Sequence, residues 1–181
     1  MNQIFAPWRI EWVEREEQGG TDGCVFCVLP EEGADRENRI VAESEHAYVL
    51  LNNYPYNPGH AMVIPRMHTG EYGDLPGDVM LDHARLKART FEAMRAALDP
   101  DGFNAGLNLG GAAAGGSIDD HLHTHVVPRW EGDTNFMATV GDTSVIVEAI
   151  EDTYDRLHEA FGSQEDARDR GPERAVEIGF D

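Results

Sequence analysis

The stretch from residue 121 to residue 128 reads His121-Leu122-His123-Thr124-His125-Val126-Val127-Pro128. Three histidines alternate with apolar or small residues, and on a β-strand every second side chain points to the same face. The alternation therefore predicts a strand that presents three imidazoles on one face and Leu122, Thr124 and Val126 on the other. Such a row of imidazoles is suited either to holding a metal ion or to handling the charge on a phosphate.

Two cysteines bear on the metal alternative. Cys24 and Cys27 have the spacing Cys-x-x-Cys and are the only cysteines of the chain. In an intracellular protein this spacing favours a metal site or a redox pair over a structural disulfide, although two buried thiols would look the same. An open zinc site built from all three histidines is disfavoured, because His121 and His125 would lie about 13 Å apart on a flat strand. One triad histidine together with Cys24, Cys27 and His68 would instead form a closed Cys2His2 set, which is typical of structural zinc.

A glycine-rich loop bears on the phosphate alternative. Residues 110–117 read GGAAAGGS and directly precede the histidine run. Glycines such as Gly116 allow backbone N–H groups to approach an anion, and Ser117 and Asn108 add a hydroxyl and an amide. The loop lacks the lysine of a P-loop, and by itself it is a weak signal that a surface linker would also give. Beside three histidines it favours phosphate chemistry, because a neutral imidazole attacks phosphorus and an imidazolium neutralises phosphate oxygens.

Composition limits the class of protein. The chain has 181 residues, of which 41 % are hydrophobic, so one domain with a substantial core is expected. No apolar run could span a bilayer, and the N-terminus lacks the features of a signal peptide, so we expect a cytoplasmic protein without a membrane partner. The formal net charge of −20 argues against nucleic acid as a partner. The acidic residues are spread along the chain, which favours a halophilic surface that is stabilised by salt over an acidic interaction face.

Periodicity predicts the fold class. Strands are predicted at residues 39–43, 47–51, 60–65, 103–109 and 121–129, and helices at 75–98 and 144–161, the second with Ser144 as N-cap. Because the strands come in runs around one long helix, we expect an α+β fold with a mostly antiparallel five-stranded sheet and two main helices. The aromatic segment 1–20 is expected to pack onto the body or a partner chain. The charged segment 163–181 is expected to be an acidic, poorly ordered tail.

The chain resembles the histidine triad (HIT) superfamily of nucleotide hydrolases and transferases. The family motif is His-φ-His-φ-His-φ-φ, where φ is hydrophobic, and Thr124 is the only soft departure from it. Further segments in family order are residues 5–9 (FAPWR), the cysteine pair, 52–60 (NNYPYNPGH), 63–68 (VIPRMH), 108–110 (NLG), 127–130 (VPRW) and 132–136 (GDTNF). They are similar to the branch related to diadenosine tetraphosphate phosphorylases. The resemblance covers roughly residues 4 to 160 and implies a single HIT domain over residues 1–162.

The resemblance implies a role for each histidine of the run. His123 would attack the α-phosphorus and become a nucleotidyl-histidine, and His125 would bond a non-bridging phosphate oxygen. His121 would lie behind them, or would be the fourth zinc ligand beside Cys24, Cys27 and His68. A structural zinc ion and no organic cofactor are therefore expected.

The resemblance also implies how a nucleotide binds. Asn52 stands where the family usually has an acidic residue that binds the ribose hydroxyls. Asn108, Gly116 and Ser117 would contact the phosphates, although many relatives have glutamine in place of Ser117. Since HIT proteins are generally homodimers with sheets joined edge to edge, the expected partners are a nucleotide substrate and a second copy of the chain.

Other side chains receive plainer interpretations. His46, His60, His83 and His158 are expected at the surface or in structural roles, and Tyr54, Tyr56 and Met62 in the core or a pocket wall. Trp130 is expected either to stack on a base or to pack in the core. Asp119 and Asp120 are expected either to be solvated or to orient His121.

Three hypotheses about function follow. The first is an enzyme that cleaves a nucleoside polyphosphate or phosphoramidate at the α-phosphate through His123, with water or inorganic phosphate as acceptor. The second is a non-catalytic nucleotide-binding module, in which His123 is not needed. The third is a hydrolase with a catalytic zinc ion, which would lose activity at once when the metal is removed.

Overall fold

The fold is given by a computed structural model that describes residues 23–109, 120–133 and 148–180. Several predictions lie outside the described residues: the aromatic N-terminal segment, the glycine-rich loop with Gly116 and Ser117, Asp119 and the N-cap Ser144. Within the described residues, no helix is both long and apolar enough to cross a bilayer.

Seven strands of the described residues form one mixed sheet. They are β1 (Ile40–Glu43), β2 (Ala47–Leu51), β3 (Ala61–Pro65), β4 (Gly102–Leu107), β5 (Thr124–Arg129), β6 (Ala167–Arg168) and β7 (Val176–Ile178). Their order across the sheet is β4-β5-β3-β2-β1-β7-β6. Every neighbouring pair is antiparallel except β1 and β7, which are parallel. The predicted α+β class is confirmed, whereas the predicted five-stranded antiparallel sheet describes only β1 to β5.

The two additional strands come from the C-terminal segment. The prediction that this segment is poorly ordered is wrong over residues 163–180, because β7 adds to the edge of β1 and buries Ala175, Val176 and Ile178. Its few apolar residues are close together and alternate with charged ones, so they cover one sheet edge even though the average composition of the segment is polar. The C-terminal segment is thus part of the body of the protein.

In the described part of the chain, three α-helices accompany the sheet: α1 (Val25–Val28), α2 (Gly77–Leu98) and α3 (Ile150–Gly162). The predicted long helix begins two residues later than expected, directly after Pro76, and ends as predicted at Leu98, after which the C-cap Asp99 has a left-handed backbone (φ 49°). Residues 148 and 149, predicted as helical, precede α3, whose N-cap is Ala149. The first start was misplaced because the buried Leu75 fits the helical period although it precedes the N-cap Pro76. The second was misplaced because Ala149, the N-cap, already has an extended backbone, which the hydrophobic period does not reveal.

Both faces of the central strands are covered. On one face Val49, Val63 and Val126 pack against α2 and α3 through residues such as Leu86 and Phe161. On the other face Tyr48, Leu50, Met62 and Ile64 pack against Phe26 of α1. Because both faces are buried, β2 and β3 are continuous apolar runs rather than alternating ones. Beyond α1 the described residues leave part of the second face open, and this opening contains the candidate site.

Candidate active site

The histidine run is a strand only from Thr124 onward. His121 and His123 lie in the extended segment before β5, because the pairing of β5 with β3 and β4 begins at Thr124. The predicted division of faces nevertheless holds: Leu122 packs beneath α2 with Leu75 and Val79, and Val126 is in the main core. The imidazoles are therefore left on the face opposite the two long helices.

A row of side chains leads away from His125 across the sheet. His125 pairs with Met62 on β3, Met62 with Leu50 on β2, and Leu50 with Ile40 on β1. Residues paired in this way share one face, and three strand spacings amount to about 14 Å. Leu50 and Met62 form the floor between the histidines at one end and the start of β1 at the other.

His123 is held in one orientation and, when neutral, in one tautomer. Its side chain is 7 % exposed, and its Nδ1 lies 2.9 Å from the carbonyl oxygen of His121. Only a protonated Nδ1 can donate to that oxygen, so in the neutral ring Nε2 carries the lone pair. Burial lowers the pKa of His123 below 6.5, and the bond to the carbonyl opposes this shift. The geometry thus leaves a neutral, nucleophilic Nε2.

A hydrogen bond from His60 fixes which ring nitrogen of His125 is protonated. The backbone N–H of Tyr56 donates to Nδ1 of His60 (3.2 Å), which places the proton of His60 on Nε2. That Nε2 lies 3.0 Å from Nδ1 of His125, so His125 accepts there and keeps its own proton on Nε2. The amide nitrogen of Asn108 is 3.4 Å from this Nε2. Two donors that converge in this way suit an anionic oxygen placed between them.

The contact between His60 and His125 was not foreseen. His60 was predicted to have a surface or structural role, whereas it is 1 % exposed and hydrogen-bonds a member of the triad. It directly precedes β3, and the pairing of Ala61 with Val126 brings it beside His125. Local periodicity contains no such information, since the contact depends on the register of two strands that are 60 residues apart in the chain.

The four predicted metal ligands come together. One ligand atom from each of Cys24, Cys27, His68 and His121 lies within 4.8 Å of all the others. Nδ1 of His121 is 3.3 Å from Sγ of Cys24 and 3.5 Å from Sγ of Cys27. Nδ1 of His68 is 3.4 Å from Sγ of Cys27 and 3.3 Å from Nδ1 of His121. Zinc bound tetrahedrally at its usual bond lengths separates such atoms by about 3.3–3.8 Å. The cluster fits a closed four-ligand zinc site.

The surroundings of these ligands also suit a metal. Nε2 of His121 donates to the carbonyl oxygen of Pro65 (2.7 Å), which leaves Nδ1 for the metal. Nε2 of His68 is 3.9 Å from the Asp120 carboxylate, so Asp120 faces His68 rather than His121. Burial, with the neighbouring Cys24, raises the pKa of Cys27 to about 11, and a metal would therefore displace its proton. With all four ligands from the protein, this set has no open position for a catalytic zinc ion.

A cavity of about 290 Å³ opens in front of the two forward histidines. His123, His125 and Asn108 line one end of it. The walls carry apolar side chains, among them Phe26, Leu29, Leu50 and Met62, and the predicted pocket residues Tyr54 and Tyr56 also line it. Its mixture of an apolar wall with a few convergent polar groups is typical of small-molecule sites.

Asn52, the residue predicted to meet the ribose, also lines this cavity. Its Oδ1 accepts from the backbone N–H of Tyr54 (2.9 Å), and its Nδ2 lies 3.9 Å from the sulfur of Met62. The side chain is therefore fixed and has N–H groups to donate, whereas a carboxylate at this place would only accept. Asn52, Asn108, His123 and His125 are thus brought together around one cavity.

The remaining predicted residues lie elsewhere. His83 is buried against the carbonyl of Val63, and His158 contacts the carbonyl of Arg174, so both have structural positions. His46 is partly exposed beside Glu45. Trp130 packs against the core and donates to the carbonyl of Asp99, and it is not among the cavity residues.

Comparison with known proteins agrees with this geometry. The family model described as "HIT domain" matches residues 34–132. The AP-4-A phosphorylase of Mycobacterium tuberculosis is 40 % identical over 162 residues, which are 84 % of this chain and 80 % of that one. A zinc-bound histidine triad family protein from Mycobacterium smegmatis has a TM-score of 0.62 at 30 % identity, over 78 % of this chain and 94 % of its own. A histidine triad nucleotide-binding protein from Sulfolobus tokodaii has a TM-score of 0.61 at 27 % identity, over 76 % and 91 %.

Proposed function

This chain belongs to the histidine triad (HIT) family, and from that premise we propose that it is an enzyme that cleaves a nucleoside polyphosphate at its α-phosphate. The favoured substrate is diadenosine tetraphosphate, with inorganic phosphate or water as the acceptor. The observation that carries the proposal is His123: a nearly buried imidazole with its nucleophilic nitrogen fixed by the carbonyl of His121, at one end of a cavity of about 290 Å³. The similarity to a phosphorylase supports the choice of substrate.

The residues divide the first step between them. Nε2 of His123 attacks the α-phosphorus, a P–N bond forms, and the bond from phosphorus to the bridging oxygen breaks with its electron pair on the leaving nucleotide. The positive charge that develops on the ring is stabilised through Nδ1–H by the carbonyl oxygen of His121. The N–H groups of His125 and Asn108 hold non-bridging oxygens as charge shifts onto them.

In the second step the acceptor replaces the histidine. Water or phosphate attacks the same phosphorus from the side that the leaving nucleotide has vacated, and the P–N bond breaks to restore neutral His123. Water gives a nucleoside monophosphate and phosphate gives a nucleoside diphosphate. Gly116 and Ser117 are proposed to contact the phosphates, in keeping with the resemblance on which they were predicted.

We further propose that Cys24, Cys27, His68 and His121 hold a structural zinc ion. When bound, zinc would cross-link three segments and contribute folding free energy rather than chemistry. The fit of the four ligand atoms to tetrahedral spacing supports this, and so does the zinc-bound relative from M. smegmatis. Nothing in the proposed reaction requires an organic cofactor.

The proposal extends to assembly and location. Among the described strands, β4 lies at one edge of the sheet, with Asn104, Ala105 and Gly106 exposed, and such an edge can pair with a second copy of itself. A homodimer joined along β4 is proposed on this basis. A cytoplasmic location without nucleic-acid partners remains the proposal made from the composition.

The deciding experiment is a product analysis. Purified protein is incubated with diadenosine tetraphosphate in high-salt buffer, with and without inorganic phosphate, and the nucleotides are separated. ADP and ATP that require phosphate identify a phosphorylase, whereas AMP and ATP without phosphate identify a hydrolase. No turnover in either buffer contradicts the proposed substrate and directs the assay to adenylated amines. An acid-labile adduct formed with α-³²P-labelled nucleotide separates a catalytic protein from a binding module.

A further inference from the structure

The end of the cavity away from the histidines carries an amide whose orientation is fixed. Asn38 lines the cavity, and its Nδ2 donates both to the carbonyl oxygen of Leu29 (3.1 Å) and to the Glu32 carboxylate (2.7 Å). Because both partners are acceptors, the NH2 group must face them. The remaining polar atom, Oδ1, accepts no hydrogen bond from any described residue. Asn38 therefore places a fixed acceptor in the wall of the cavity at this end.

Asn38 lies where the base of a bound nucleotide would reach. It lies two residues before Ile40, which ends the row that starts at His125 and crosses Met62 and Leu50. With this row measuring about 14 Å, a nucleotide whose α-phosphate is at His123 extends its base toward Leu29 and Asn38. Leu29 supplies an apolar surface for the face of the base, and Asn38 meets its edge.

The charged side chains near Asn38 do not offer a competing hydrogen-bond donor to the base. Glu37 is exposed beside Asn38 and its carboxylate can only accept. Arg39 also lines the cavity, but its guanidinium donates to Oδ1 of Asn53 and lies 3.5 Å from Glu151. The cation is thus directed to protein partners, while Glu37 and Asn38, which both carry acceptor oxygens, line this end of the cavity.

We propose that Oδ1 of Asn38 determines base specificity by accepting a hydrogen bond from an exocyclic amino group, so that the cavity selects 6-aminopurine over 6-oxopurine nucleotides. The inference rests on the proposed function, since it assumes that the cavity binds a nucleotide. A 6-oxopurine places oxygen against oxygen, which loses the bond and adds repulsion. In a site open to water, this difference corresponds to about a ten-fold change in affinity.

The test compares three ligands that differ only at position 6 of the purine. AMP, IMP and purine riboside 5′-monophosphate carry an amino group, an oxygen and a hydrogen there, and calorimetry measures the binding of each to the full-length chain. We expect AMP to bind about ten-fold more tightly than IMP, with the unsubstituted purine between them. Equal affinities overturn the inference alone, whereas no binding of any of the three overturns the proposed function with it.

Two variants identify the atom. Asn38→Leu and Asn38→Asp both lose the amide N–H bonds to Leu29 and Glu32. Each is combined with Glu32→Gln, so that no carboxylate repels the one introduced by Asn38→Asp and the glutamine amide can donate to it. Only Asn38→Asp keeps an acceptor oxygen toward the base. We expect Asn38→Leu to abolish the preference for AMP and Asn38→Asp to retain it, with thermal unfolding used to show that both are folded. A preference for AMP that persists in Asn38→Leu contradicts the inference.

Discussion

At the scale of single residues, the candidate site depends on where protons are held. His123 has its proton directed to a backbone carbonyl, so its other nitrogen is a base, and His125 is fixed in the opposite sense through His60. Two adjacent histidines of one run thus receive different roles, nucleophile and hydrogen-bond donor, from different neighbours. The sequence alone presents them as equivalent.

The nucleophile gives the most direct prediction. His123 provides the nitrogen of the proposed P–N bond. His123→Ala is therefore expected to reduce turnover of the nucleotide substrate by at least about 10³-fold, which is the usual loss when a nucleophile is removed. Product analysis measures the rate, and circular dichroism shows whether the fold is kept. Retention of activity in a folded His123→Ala protein would exclude the covalent mechanism.

His60 is expected to act through His125. His60→Ala removes the donor that fixes the tautomer of His125, so kcat should fall about 10- to 100-fold with a smaller change in KM. His60→Gln is the matched variant, since its amide can accept from Tyr56 and donate to His125, and it should recover part of the rate. Equal rates in the two variants would show that the hydrogen bonds from Tyr56 to His60 and from His60 to His125 do not determine the rate.

Another buried histidine controls stability rather than chemistry. Burial lowers the pKa of His83 below 6.5, while the hydrogen bond to Val63 opposes the shift. Below about pH 6.5 the unfolded chain therefore binds a proton that the folded chain resists, and the free energy of unfolding falls as the pH is lowered. His83→Gln removes this titration, so between pH 7 and pH 5 it should lose less stability than the wild type in urea denaturation. Parallel profiles would contradict the assignment.

At the scale of elements, the C-terminal strands show what sequence reasoning missed. The histidine run, both long helices and β1 to β5 were predictable because each has its own periodicity or a strong apolar run. The two-residue and three-residue strands β6 and β7 have neither, and they form only because β1 offers an edge and Asp35 offers an acceptor. Pairing of short strands with a distant edge is not encoded in any local window.

Asp35 is expected to be the main anchor of this segment. Its nearly buried carboxylate accepts from the backbone N–H of Ala175 (2.9 Å) and pairs with Arg174 (3.0 Å). Asp35→Ala leaves the buried N–H without a partner and should destabilise the protein by about 2 kcal/mol in urea denaturation, whereas Asp35→Asn keeps an acceptor and should cost less. The exposed pair Arg168–Glu177 is the control, and Arg168→Ala should change stability little. A loss as small as that of the control would show that the segment is held by its apolar residues instead.

The proposed zinc ion would join elements that are otherwise far apart in the chain. Cys24 and Cys27 belong to the start of α1, His68 follows β3, and His121 precedes β5. Removal of the metal with a chelator, or Cys27→Ser, should lower the melting temperature by several degrees, and activity should decline only as structure is lost. The order of the two losses is the test, because a rapid loss of rate in a fully folded protein would indicate catalytic zinc.

At the scale of the whole molecule, charge is the dominant property. The chain has 34 acidic and 14 basic residues, a formal net charge of −20. Many of the cations are already paired: Arg66 and Arg170 contact Glu43, Arg36 contacts Asp155, and Arg129 contacts Asp133. The excess acidic groups therefore repel one another across the surface, which disfavours the compact state when they are poorly screened.

Salt should relieve this repulsion. At about 0.01 M ionic strength surface charges interact over about 30 Å, and at about 1 M over only about 3 Å. The melting temperature should thus rise steadily from low to molar KCl, and most steeply at the low end, where the screening length changes most. Replacement by glutamine of exposed acids that form no ion pair with a described residue, such as Glu37 and Glu131, should raise the melting temperature at low salt and have less effect in molar KCl. A melting temperature that is independent of salt would contradict the halophilic interpretation, since self-repulsion among the acidic groups would then not destabilise the folded state.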